Sequence, residues 1–210
     1  MLAKWKDKWK YVSYVMFHPV EGFDEMRYKK GGSLSVSIVL YLAFLFSVIC
    51  QQKYTGKQFT FVNDANVSIQ ATFLYTLGLM LAAVFANWGF CVLMDGKARV
   101  KDLWIILNYA LVPYTVFSYI KVLLSNFATS EEGALTNVLL WVGILWSAFM
   151  LLRALMAYHE FSFSGAIGSV VLTVIGVVII LFLLILVLSL FQKIFSTISV
   201  IFYEISFRFN

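Results

Sequence analysis

Five long runs of apolar residues alternate with short polar stretches along the chain. A helix rises about 1.5 Å per residue, so roughly 20 residues cross a hydrocarbon core about 30 Å thick. Each run is therefore predicted to be a transmembrane helix. The second and fifth runs exceed this length, and we expect those helices to tilt or to extend past the hydrocarbon. The runs are residues 33–50, 67–94, 103–124, 135–156 and 165–191.

The two ends of the chain have the periodicity of amphipathic helices. In residues 1–16, Trp5 begins a series of apolar residues at helical spacing that includes Trp9, and lysines fall mainly on the other side. This pattern predicts a helix in the membrane interface with Trp5 and Trp9 as anchors, and a solvated basic tail is the alternative. We expect the helix to end next to Pro19, because proline disfavours the α conformation in the preceding residue.

After residue 191, apolar residues again recur at steps of three and four. The pattern predicts a second amphipathic helix in residues 192–210, with Phe195, Phe202 and Phe209 on its apolar face. An aromatic helix face suits either the outer lipid leaflet or a partner protein. The sequence leaves both open, so this tail is a candidate partner-binding surface.

Composition places the chain among membrane proteins. Hydrophobic residues make up 61% of its 210 residues and charged residues 13%. A soluble domain typically has about 45–50% hydrophobic residues and about 25% charged residues. The predicted fold class is an all-α integral membrane protein, a five-span helical bundle. Its predicted parts are a cytoplasmic amphipathic segment (1–32), the membrane domain (33–191) and an external amphipathic tail (192–210).

The net charge of +5 is interpreted as a topology signal, and we expect no nucleic-acid partner. With a cytoplasmic N-terminus, 11 of the 16 basic residues lie inside, four lie outside and one snorkels near the outer end of the third span. The inside set includes the short loop between the second and third spans, which carries Lys97, Arg99 and Lys101. The predicted orientation is therefore N-terminus in and C-terminus out.

Polar residues inside the spans are few. Asn87 and Asn108 lie eight and six residues from the same short loop, so we expect them at one depth, where they can hydrogen-bond across an antiparallel helix pair. Pro113 is predicted to kink the third span. Small residues recur every fourth position from Gly78 and from Gly165, and we expect these stripes to pack against each other within the chain.

Catalytic chemistry is hard to find in this sequence. No carboxylate lies within a span, and phosphate-loop, serine-nucleophile and cysteine-cluster motifs are absent. Residues 95–99 superficially resemble the D-G-x-x-A-R core of CDP-alcohol phosphotransferases, but the spacing is one residue short and the further carboxylates are missing. Cys50 and Cys91 fall near opposite membrane faces, too far apart for a disulfide. We predict no enzyme activity, no cofactor and no metal site.

Short motifs spread along the chain resemble the Yip (Ypt-interacting protein) domain family of five-span membrane proteins. They are HPVEGF at 18–23, GKA at 96–98, NYALVP at 108–113, Trp146 with Arg153 and Ala154, and EFS at 160–162 followed by Ala166. The resemblance implies a non-enzymatic membrane protein that acts by binding others.

Within that family, eukaryotic relatives act in ER–Golgi trafficking with Rab-type GTPases. The 32 residues before the first span are similar to the compact bacterial members, so the expected location is a bacterial cell membrane. Some bacterial members are encoded beside carbohydrate ABC importers, which implies ABC transporter permease subunits as candidate partners.

Two functional hypotheses follow from the sequence. The leading one is a scaffold or accessory subunit that binds other integral membrane proteins. The alternative is a small-solute or ion permease, acting alone or as a homo-oligomer, with Asn87, Asn108, Tyr109 and Pro113 lining its path.

Overall fold

The structure, a computed structural model, describes residues 2–29, 31–56, 59, 68–129 and 132–209, and its regular elements in these ranges are helices. Side chains of residues 2–7, 202, 205, 206, 208 and 209 lie outside the described part. The helices are α1 (Leu2–Phe17), α2 (Pro19–Tyr28), α3 (Leu34–Tyr54), α4 (Ile69–Leu93), α5 (Val100–Ala110), α6 (Val112–Ser125), α7 (Gly133–His159) and α8 (Phe163–Phe209).

Among the described residues, five helical segments are long and apolar enough to cross a bilayer: α3, α4, α5 with α6, α7, and α8. The predicted all-helical membrane class with five spans is thus confirmed by length and composition. Within the bundle α4 packs on α8 and α6 on α7, while α3 packs on both α5 and α6.

The hydrophobic core lies toward one end of the bundle, around α5. Ile106 and Tyr109 of α5 are each 1% exposed, and they share a cluster with residues of α1, α2, α3, α7 and α8. We call this end the N-terminal face, defined by α2, the loop 94–99 between α4 and α5, and the turn 160–162 between α7 and α8. The sequence predicts this face to be cytoplasmic.

Helices α1 and α2 form a hairpin that packs onto this core. Val15 of α1 and Phe23 of α2 are fully buried. Gly22 lets the two helices approach, because a Cβ there would lie 2.9 Å from the Val15 Cα. Part of the apolar face of α1, predicted from sequence to lie against lipid, is therefore covered by the protein itself.

The third span is divided at Leu111, where α5 ends and α6 begins. Pro113 is the second residue of α6, and a proline at this point cannot donate the usual helical hydrogen bond. The N–H of the next residue, Tyr114, donates instead to Ser147 Oγ on α7 at 2.9 Å. In a membrane, such a side-chain acceptor satisfies a backbone group that a helix break leaves free.

Only one end of the predicted α4 stripe of small residues makes a close contact with α8. Ala86 of α4 lies against Gly176, where an added Cβ would be 2.9 Å from the Ala86 Cβ, and Gly176 lies outside the α8 stripe that begins at Gly165. Gly78, at the other end of the α4 stripe, has no neighbouring atom within 4 Å of an added Cβ.

The sequence predicts a separate tail helix after residue 191, and here the structure differs. α8 continues without interruption from Phe163 to Phe209, over 47 residues. No glycine or proline occurs after Gly176 to end the helix. Span and tail are one element.

Candidate functional site

One carboxylate ties together the three segments of the N-terminal face. Glu160 Oε1 lies 2.6 Å from Arg27 Nη2 of α2, and Oε2 pairs with Lys97 Nζ of the loop 94–99. We call these three residues the Glu160 bridge. The hydrogen bond from Lys97, with added attraction from Arg27, lowers the pKa of Glu160 below its usual range. The carboxylate is therefore charged at neutral pH and holds both bases.

Backbone geometry fixes Glu160 in this position. Glu160 follows the last residue of α7 and has φ 60° and ψ 32°, the left-handed conformation that commonly ends a helix. Arg27 donates to the carbonyl oxygens of Ala157, at 2.6 Å, and of Tyr158. A cation at these carbonyls also suits the negative end of the helix dipole. Arg27 thus caps α7 as well as pairing with Glu160.

Beneath the bridge lies a buried polar chain that starts at His159. The His159 ring is 2% exposed and its Nε2 is 3.2 Å from Asn87 Oδ1. Asn87 Nδ2 in turn donates to Thr173 Oγ1 at 2.8 Å. An amide oxygen only accepts, so Nε2 carries the ring proton. The chain connects α7, α4 and α8 inside the bundle.

Gly96 closes the loop 94–99 over this chain. Its N–H donates to the Cys91 carbonyl at 2.6 Å, after Asp95 has turned the backbone with φ 59°. A Cβ on Gly96 would collide with His159 Nδ1, and the imidazole ring stacks on Phe161 with 5.0 Å between the ring centroids. The loop therefore requires glycine where it crosses His159.

The sequence predicts a hydrogen bond between Asn87 and Asn108, and this is wrong. Asn108 is 2% exposed, and its Nδ2 donates to the Trp104 carbonyl of its own helix at 2.7 Å. Asn87 faces α8 and α7 instead. Distance from the loop fixes the depth of a residue along a helix but not the direction of its side chain.

The residues assigned to a permeation path also lie apart. Asn87 borders a cavity of about 390 Å³ whose walls are almost entirely aliphatic side chains of α4, α5, α7 and α8. Asn108, Tyr109 and Pro113 are buried in the bundle. The four residues do not share one opening.

The predicted basic loop divides into two parts. Lys97 belongs to the Glu160 bridge, whereas Arg99 and Lys101 border a cavity of about 470 Å³ between this loop and α2. Among the residues that the structure describes, neither Arg99 nor Lys101 has a carboxylate within ion-pair distance.

Of the predicted anchors and tail residues, two have described side chains. Trp9 on α1 is partly exposed, and Phe195 on α8 is 70% exposed. The side chains of Trp5, Phe202 and Phe209 lie outside the described part. In the described ranges, His, Cys, Asp and Glu side chains do not gather in groups of three that could hold a metal ion.

Sequence reasoning missed Arg27, His159 and Glu160 as members of one site. Arg27 and Glu160 are 133 residues apart, and no spacing rule joins them. The available signal was the set of short family-like motifs, since Gly96 and Lys97 belong to one and Glu160 and Phe161 to another. These two motifs contact each other in the structure.

The segments that meet at the Glu160 bridge all lie within the range that matches one known protein family. The family model of the Yip1 domain matches residues 13–186, a range from α1 into α8 that includes the whole Glu160 bridge. No curated protein and no solved structure matches the chain. The match covers well over half of the sequence, and it confirms that this protein belongs to the Yip1 domain family of membrane proteins.

Proposed function

We propose that this protein is a non-enzymatic scaffold or accessory subunit that binds other integral membrane proteins through the distal part of α8. The observation that carries the proposal is the exposure of that helix. From Leu181 to Phe207, every residue whose side chain is described is exposed. The rest of the bundle covers only the part of α8 that precedes Leu181.

The length of α8 strengthens the argument. At 1.5 Å per residue, 47 residues extend about 70 Å, more than twice the hydrocarbon thickness of about 30 Å. A straight helix that starts at the N-terminal face leaves the hydrocarbon well before residue 192. Its continuing apolar face then requires a cover, from lipid if the helix bends or from protein if it does not.

Charge and shape favour a protein cover. Ile194, Phe195, Ile198 and Ile201 lie on one side of the distal helix and are exposed, while Lys193 and Ser196 lie on the other. An amphipathic helix of this kind is a common recognition element for a groove on a partner. We propose permease subunits of a carbohydrate ABC importer as the first partner class to test, from the resemblance to bacterial family members.

The experiment is purification from native membranes in a mild detergent, followed by mass spectrometry of the intact complex. Ile198→Gln and Ser196→Gln form a matched pair, since both positions are exposed and they lie on opposite sides of the helix. Wild type and Ser196→Gln should retain a membrane-protein partner in fixed stoichiometry, and Ile198→Gln should lose it. Recovery of the wild type as a bare monomer would refute the proposal.

A permease function lacks comparable support. Asn108, Tyr109 and Pro113 are packed within the bundle, and the cavity beside Asn87 has aliphatic walls. We therefore advance the binding function alone.

A further inference from the structure

The cavity at the N-terminal face differs in character from the apolar crevices of the bundle. It measures about 470 Å³ and lies between α2, the start of α3, the loop 94–99, the first turns of α5 and the end of α7. Cationic and apolar side chains both line it. The cations are Arg27, Lys97, Arg99 and Lys101, and the apolar residues are Met26, Leu34, Ala98 and Ile105.

These charges are only partly balanced. Asp102 is the one acidic residue in the lining, and Glu160, outside the cavity, pairs with Arg27 and Lys97. With both carboxylates ionised, the four bases retain two positive charges in excess. An anion is the ligand that such a concave basic surface attracts.

Tyr158 supplies a second and independent observation. It lines the same cavity and is only 8% exposed, yet its hydroxyl makes no hydrogen bond to a residue in the described ranges. Its position among the basic side chains makes it available to an oxygen of a bound anion.

Depth relates this cavity to the membrane. Leu34 and Ile105 belong to the first turns of the first and third spans, and Gly32 lies immediately before the first span. In a bilayer these positions lie where lipid phosphates meet the hydrocarbon. Basic pockets at this level are suited to anionic headgroups.

The chemistry favours phosphate over a simple carboxylate. A guanidinium presents paired N–H groups that match phosphate oxygens, and lysine adds a mobile charge. The first turn of α5 also borders the cavity, through Lys101 and Asp102, and Arg99 at its N-cap makes no side-chain capping bond to the N–H groups there. The apolar wall accommodates the glycerol and first methylenes of a lipid.

From this arrangement we propose that the cavity between α2 and the loop 94–99 binds a phosphate group, presented by an anionic phospholipid or by a soluble phosphate. Arg99 and Lys101 are the cations that Glu160 does not engage, and Tyr158 is a hydroxyl donor. Glu160 holds Arg27 and Lys97 in place at the cavity wall. The proposal is independent of the partner-binding role of α8.

The test is binding to purified protein in neutral detergent, in two arms. One arm titrates short-chain phosphatidylglycerol against phosphatidylcholine, and the other titrates inorganic phosphate, with native mass spectrometry counting the adducts. The test variant is Arg99→Gln with Lys101→Gln. The control is Lys10→Gln with Lys29→Gln, two exposed bases of the same half that do not line the cavity.

The test variant removes two of the four bases that line the cavity, so binding should weaken by roughly tenfold or more. The control variant should bind as wild type does, and all three proteins should unfold at the same temperature. Binding in the lipid arm assigns the site to a headgroup, and binding in the phosphate arm assigns it to a soluble anion. Absence of binding in both arms, or equal weakening in the control, would overturn the proposal.

Discussion

Replacing Gly96 with alanine tests the fit of the loop 94–99 over the buried polar chain. The added Cβ would collide with His159 Nδ1 and would lie 2.7 Å from the Cys91 carbonyl oxygen and 2.9 Å from the Cys91 Cβ. None of these atoms is the end of a flexible side chain. The carbonyl already accepts the Gly96 N–H, and the imidazole stacks on Phe161.

The magnitude follows from the cost of overpacking. An extra methyl group in a well-packed interior destabilises a protein by about 1–3 kcal/mol. In a chain of this size each kcal/mol lowers the unfolding midpoint by about 2–4 °C. We therefore expect Gly96→Ala to unfold several degrees below wild type.

Thermal unfolding can be followed with a thiol-reactive fluorophore, because Cys50 and Cys91 are free and buried. Gly89→Ala is the control, since nothing lies within 4 Å of a Cβ at that position of α4. Alanine favours a helix over glycine by about 1 kcal/mol, so the control should unfold at or above the wild-type temperature. Equal midpoints for the two variants would refute the packing proposed for Gly96.

Three further predictions concern the polar contacts. Asn87→Leu and Thr173→Val should show a coupling of roughly 0.5–1.5 kcal/mol in a double-mutant cycle of thermal stability, and strict additivity would contradict their hydrogen bond. The lowered pKa of Glu160 means that its ion pairs stabilise the fold above about pH 4.3 and are lost as pH falls through the lowered value. Wild type should therefore lose more stability than Glu160→Gln between neutral pH and about pH 3, and parallel acid profiles would count against the bridge. Ser147→Ala leaves the Tyr114 N–H without its acceptor and should cost about 1–3 kcal/mol, whereas an unchanged midpoint would show that another group accepts this N–H.

The parts of the fold that the bilayer dictates could be predicted from sequence. Hydrocarbon thickness sets the length of an apolar run, so five runs predict five helices. Pro19 separates α1 from α2, and the third span is divided two residues before Pro113. These features depend on neighbouring residues in the chain, which a sequence shows directly.

Contacts between distant segments could not be predicted in the same way. Arg27 and Glu160 meet because α2 folds back on the end of α7, and nothing local to either residue indicates this. The sequence shows how far Asn87 lies from the loop along its helix, but its partners His159 and Thr173 depend on how α4 is rotated about its axis. The basic loop likewise gave no sign that Lys97 would pair with Glu160, while Arg99 and Lys101 have no ion-pair partner in the described part of the chain.

One prediction could have been improved from sequence alone. The absence of glycine and proline between Gly176 and the C-terminal residue is visible in the chain. It favours one long helix over a span followed by a separate tail. The charged residues of the tail mark a different environment, but they do not interrupt the helix.

Site-specific photo-cross-linking from α8 tests the proposed binding function most directly. A photoreactive residue at Ile198, on the exposed apolar side, is compared in native membranes with one at Ser196, on the opposite side. The binding function predicts a defined protein adduct from position 198 and much less from position 196, with the partner identified by mass spectrometry. Lipid adducts alone from position 198, with no protein adduct, would contradict it.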